Sequence, residues 1–197
     1  GIRDRDVTGV QTVLFRSTGV SNVYMTPGLY YVANGDLYLS SVNNVTCPTC
    51  TPDNGIAVVL TQTTGNNADI GGVKISSDNN ISLNAGKTNT GSYTGVLFYQ
   101  DRRANTGTMS STSKIFTVSS LNNATLSGAI YFPNNRIDIA SINNFGGNST
   151  NGCTIFVGRY IKFSSFNNVY KGGCSQYGTT PVAITTNSTV TKSRVLE

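Results

Sequence analysis

The dipeptide Asn-Asn occurs seven times in this chain, at 43–44, 66–67, 79–80, 122–123, 134–135, 143–144 and 167–168. At least five of these pairs directly adjoin a short apolar string, as in Val42-Asn43-Asn44-Val45 and Leu121-Asn122-Asn123-Ala124. The steps between successive pairs are 23, 13, 43, 12, 9 and 24 residues, loosely near 12 and its multiples. Quasi-periodicity of this kind in a chain of short strands marks a solenoid, in which one coil of a parallel β-helix takes roughly 20 to 25 residues. Asn suits the corners because it tolerates left-handed backbone angles and caps its own turn. Stacked Asn side chains can also bond in ladders from coil to coil. The competing reading is a set of ordinary turns in an Asn-rich antiparallel β-sandwich.

The segments between the pairs alternate apolar and polar residues, which puts them on opposite faces of a strand. The expected inward face is Leu37, Leu39, Val73, Ile75, Ile81, Leu83, Ile137, Ile139, Ile161 and Phe163. Gly95, Gly128 and Gly158 lie beside strands, where a bend or a close approach between coils is wanted. About eight coils at the ~4.8 Å strand spacing would give a rod roughly 40 Å long. Open ends would expose core and unpaired backbone, so Val7 to Phe15 and Pro181 to Val195 are candidate caps. Residues 101–114, reading DRRANTGTMSSTSK, are too polar for a strand and are expected to form a projecting loop. The fold expected is an all-β, single-domain, right-handed parallel β-helix. Residues 1–23 would be an N-terminal cap or linker, 24–195 the β-helix, and 196–197 remnants of an expression vector.

Composition narrows the chemistry. Asn, Ser, Thr and Gly supply 91 of 197 residues, there is no His or Trp, and the only Glu is the last residue. A His-based triad, a His-ligated metal and a Glu acid/base pair are therefore excluded, and no catalytic, cofactor or metal-binding residue is expected. Setting Glu197 aside, 14 basic residues against eight Asp leave a charge of +6. The basic residues are scattered, with Arg102-Arg103 the densest cluster, which is not the footprint of a nucleic-acid binder. No run approaches the roughly 20 apolar residues of a membrane helix. Gly1 and Leu196-Glu197 read as cloning remnants, so an anchor or signal would lie outside this sequence.

Four cysteines are present. Cys47-Pro48-Thr49-Cys50 precedes no helix signal, so a disulfide is preferred to a redox centre or half a zinc site. Cys153 and Cys174 stand 21 residues apart, about one coil, which would stack them within disulfide reach. Pairings 47–50 and 153–174 are expected, in an oxidising compartment. Sequons, among them those beginning at Asn44, Asn123, Asn148 and Asn187, occur as chance predicts in so Asn- and Thr-rich a chain. The polar cluster Gln100, Asp101, Arg102 and Arg103, following Tyr99 at the end of an apolar string, is the candidate interaction motif.

Residues 93–102, reading YTGVLFYQDR, resemble a signature of TadG-like proteins of bacterial tight-adherence (Flp) pilus systems. Residues 126–134, LSGAIYFPN, and the stretch from Cys153 through residues 161–163 (IKF) to Cys174 are similar to later segments of that family. Met25-Thr26-Pro27-Gly28-Leu29-Tyr30 resembles an early turn. The resemblance spans about residues 24 to 178; residues 1–23 and 45–54 depart from it. It implies the extracytoplasmic part of an envelope protein with an upstream membrane anchor, serving pilus assembly or surface adherence without enzymatic activity. Partners would be pilus-assembly or envelope proteins, and the membrane would be met only through that anchor. The alternative is a carbohydrate-active or glycan-binding β-helix protein acting on acidic glycans, which the positive charge would favour.

Overall fold

The computed structural model describes residues 15–18, 21–76, 79–146 and 153–169. Its strands are β1 Phe15–Thr18, β2 Asn22–Tyr24, β3 Gly28–Ala33, β4 Leu37–Ser40, β5 Asn44–Thr46, β6 Ile56–Thr61, β7 Val73–Ser76, β8 Asn80–Asn84, β9 Val96–Gln100, β10 Phe116–Phe145 and β11 Thr154–Val169. Two single 3-10 turns, Asn67–Asp69 and Gly91–Tyr93, are the only helical pieces among the described residues. Every pairing between these strands is parallel, which removes the antiparallel sandwich.

The pairings form three columns of a curled sheet. In the first, Leu37 pairs with Val73 and Val73 with Phe116, while residues 136–140 pair with 160–164. In the second, Asn44 pairs with Asn80 and Asn80 with Asn123. In the third, Val59 pairs with both Tyr31 and Tyr99, and Tyr99 with Tyr131. The chain visits the columns in the same order at each level, so β10 turns successive corners as one 30-residue strand. The alternation forecast from sequence is what makes this possible: apolar residues at every second position all face the centre.

That centre is dry. Leu37, Leu39, Val73, Ile75, Ile81, Leu83, Ile137 and Ile139 are buried as expected. Each contributes on the order of 2 kcal/mol of apolar burial. Phe98, Phe116 and Phe132, all fully buried, run through the middle with ring centroids 5.2 and 5.4 Å apart. Gly128, at φ +134°, lets two levels meet; a Cβ there would lie 2.6 Å from the Cβ of Ala85. Two residues depart from the expected inward face. Ile161 is 42% and Phe163 50% exposed, on β11, which among the described residues pairs only with β10. The candidate caps at Val7–Phe15 and Pro181–Val195 fall outside the described residues except for Phe15.

The corners hold the predicted ladders. Asn44 donates through Nδ2 to Oδ1 of Asn22 at 2.7 Å, and the relay continues through Asn80, Asn123, Asn144 and Asn168 at 2.6–2.9 Å. A parallel relay joins Asn43, Asn79, Asn122, Asn143 and Asn167 at 2.8–3.1 Å. Every bond points toward the N-terminal level, so the amide dipoles align and polarise one another.

Two details correct the sequence reading. Steps along the longer ladder are 22, 36, 43, 21 and 24 residues, because long connections interrupt the second and third coils. The described residues make six levels along this ladder. And it is not the paired Asn residues that adopt left-handed backbone: Ser41, Ser120, Ser141 and Ser165, each two residues before a pair, do so at φ 54–60°. The Asn pairs contribute by side-chain bonding, while each Ser holds a left-handed conformation that costs an L-residue roughly 1–2 kcal/mol.

Candidate functional site

The sequence motif Tyr99 to Arg103 lies where β9 leaves the third column and enters the 101–114 loop. The structure splits these five residues into two groups.

Gln100 points inward and is fully buried. Its Nε2 donates to the carbonyls of Gly71 and Lys114, both at 2.8 Å, and its Oε1 accepts from Asn135 Nδ2 at 2.9 Å. Asn135, also buried, donates to Asn105 O, while Asn134 Nδ2 donates to the carbonyls of Arg102 and Ala104. Arg136 Nη1 donates to Met109 O. The segment is therefore a loop, as its composition predicts, but one fastened along its length rather than projecting freely.

Asp101 and Arg103 belong to the same framework. The Arg103 guanidinium donates from Nη2 to Asp101 Oδ2 at 2.6 Å and from Nε to both carboxylate oxygens. Asp101 also accepts from Thr61 Oγ1 and from the Arg103 backbone N–H. These bonds, Arg103's side chain first, hold the Asp101 carboxyl at about 2, below its ordinary value.

Tyr99 and Arg102 face outward, in company the sequence did not announce. Tyr31, Val59, Tyr99 and Tyr131 stand in register on the outer side of the third column. Val59, although outside the central core, is only 2% exposed there. Tyr99 and Tyr131 stack with centroids 5.2 Å apart and planes 5° from parallel. Tyr93, from the 3-10 turn, meets Tyr99 edge-on at 5.1 Å. Burial, reinforced by the neighbouring Tyr31 and Tyr99, raises the Tyr93 phenol above its usual pKa. Burial raises that of Tyr99 too, with Arg102 opposing the shift. Both phenols therefore stay protonated hydrogen-bond donors at neutral pH. The Arg102 guanidinium lies 5.4 Å from the Tyr131 ring centroid, in cation–π range, and makes no ion pair among the described residues.

A second feature is an open groove of about 380 Å³ beside the first column, lined by Asp36, Tyr38, Lys74, Thr112, Lys114 and Thr117 among others. Its carboxylate already accepts the Gly72 N–H, and the Lys74 ammonium sits 5.2 Å from the Tyr38 ring.

Among the described residues the remaining acids are each engaged locally. Asp53 meets Lys87, Asp69 accepts from Thr64 and Asn66, and Asp138 pairs with Arg136. Among the described residues no three metal-ligating side chains converge. Cys47 and Cys50 form the expected disulfide, with Cα atoms 5.3 Å apart. Cys153 is buried and no described cysteine is a free thiol, while Cys174 lies outside the described residues. No helix among the described residues is long and apolar enough to cross a membrane.

Comparison with known proteins returned no matching family model, no matching curated protein and no matching solved structure.

Proposed function

We propose that this chain is a non-enzymatic, extracytoplasmic interaction module of an envelope-anchored protein, serving tight-adherence pilus assembly or surface adhesion. In this reading the coils close into a right-handed parallel β-helix that acts as a rigid spacer. The observation that carries it is the combination of two unbroken Asn ladders with a fastened loop, which together hold one outward Tyr and Arg surface on a stiff frame. Rigid elements present a binding surface with less entropy lost on contact than mobile ones. The YTGVLFYQDR resemblance gives the biological direction, and the Cys47–Cys50 disulfide fits an oxidising compartment. Among the described residues the acids are dispersed, each with its own partner, which favours a binding role over hydrolysis by two cooperating carboxylates.

The test is genetic. Cells of the source organism lacking the protein should lose surface pili or attachment and regain them with the intact gene. Unchanged piliation and attachment would overturn the reading. Deleting residues 101–114 is a poor substitute, because it would cost the buried amides of Gln100 and Asn135 one partner each.

A further inference from the structure

We infer that the outer face of the third column, centred on Arg102, Tyr99 and Tyr131, binds anionic polysaccharide through a carboxylate or sulfate group. The inference rests on the adhesion reading and gives it a ligand class.

The argument begins with the two adjacent arginines. They are equivalent in sequence and opposite in role. Arg103 is consumed: its guanidinium meets both oxygens of Asp101, and Nη2 also reaches Thr61 Oγ1. Arg102 has no carboxylate among the described residues, yet it is not a loose surface side chain. Its carbonyl is held by Asn134 at 2.7 Å, which fixes its backbone, and its guanidinium is placed against the Tyr131 ring. A planar cation held in this way is a pre-oriented fork for a planar or tetrahedral anion.

The neighbouring rings say what else the ligand carries. Tyr99 and Tyr131 spend faces on each other, so this surface is not a flat stacking platform. What it offers is a row of phenol edges beside a guanidinium that also bonds the Tyr99 side chain, with the Tyr131 hydroxyl next in the row. A string of hydroxyls with a regularly placed anion, as in a polyuronate or sulfated glycan, matches that arrangement along the column. An acidic peptide would satisfy Arg102 but leave the hydroxyl row unused.

The experiment uses the purified full chain with polygalacturonate and heparin as probes and neutral dextran as control. Binding is followed by calorimetry, with thermal unfolding to confirm that each variant is folded. Arg102→Ala should weaken binding by about 10-fold or more, the loss expected when one charge-assisted hydrogen-bonded contact is removed. Lys162→Ala removes the same charge from an exposed position on the first column and should change binding by less than about 2-fold. Arg102→Lys keeps the charge without the fork and should recover only part of the loss. Tyr131→Phe removes one hydroxyl and keeps the ring, and should weaken binding measurably.

Equal losses for Arg102→Ala and Lys162→Ala would mean unspecific charge attraction and overturn the proposal. So would absence of binding by the wild type, or binding of an acidic peptide in preference to both glycans. If no glycan binds while loss of the gene still abolishes attachment, this inference fails and the adhesion reading stands. Glycan binding without any attachment phenotype has the reverse meaning.

Discussion

Two sets of Asn-Asn pairs in this molecule do different work. The pairs at 43–44, 79–80, 122–123, 143–144 and 167–168 sit at one corner of the coil and bond only to their own kind on the next level. The pairs at 66–67 and 134–135 do not join the ladders. Asn66 caps a 3-10 turn by accepting from the Ala68 N–H, while Asn134 and Asn135 hold the 101–114 loop. The ladder amides are mostly exposed, and Asn135 is 1% exposed. The same dipeptide is thus a surface repeat in one place and a buried clamp in the other. Burial decides what its loss should cost: water can replace a lost partner at the surface and cannot do so inside.

The largest effect should come from Gln100→Ala. It leaves the carbonyls of Gly71 and Lys114 and the amide of Asn135 short of a partner, and should cost about 3 kcal/mol or more in urea unfolding. Asn135→Ala should cost about 2 kcal/mol, since Gln100 Oε1 and Asn105 O lose their donor. Asn123→Ala breaks two ladder bonds in the middle of the stack, yet its partners can turn to water, so about 1 kcal/mol is expected. If Asn123→Ala proves as damaging as Asn135→Ala, the ladder is cooperative and the distinction between surface repeat and buried clamp collapses.

The smallest effect is electrostatic. Folding lowers the Asp101 pKa to about 2, chiefly through Arg103. Between about pH 4 and pH 2 the folded chain therefore binds fewer protons at this group than the unfolded chain. Its contribution is full above about pH 4 and is lost as pH falls toward 2. Thermal midpoints at pH 5 and pH 2.5 should fall further for the wild type than for Arg103→Ala. An equal fall in both would show that the pair adds nothing, as is common for partly exposed ion pairs.

The proposed pilus signature can be read residue by residue in this light. Gly95, at φ +74°, makes a turn; Leu97 and Phe98 fill the core; Gln100 anchors the loop; Asp101 is bound to Arg103. Most of the motif is therefore folding chemistry, and Tyr93, Thr94, Tyr99 and Arg102 are what it leaves at the surface. The sequence alone could not sort these roles, because adjacent residues of like character differ only in which way the strand turns them. Tyr31 and Tyr131 were legible only as aromatic residues in apolar strings, 68 and 32 positions away from Tyr99 in the chain. No local signal ties them to it, though strings such as Ile130-Tyr131-Phe132 recur in the right column.

The sequence by itself determined the strand period, the inward faces and the stacking of Asn at a corner. These depend on side-chain alternation and on the self-complementarity of amides, both written in local pattern. Tertiary structure decided the true coil lengths, the choice of Ser for the left-handed turns, the separation of the two arginines and the gathering of four tyrosines. Those depend on register, and register is fixed only when the core of one level settles on the next. A connection inserted between strands alters the spacing read along the chain but leaves the stacking of the levels unchanged.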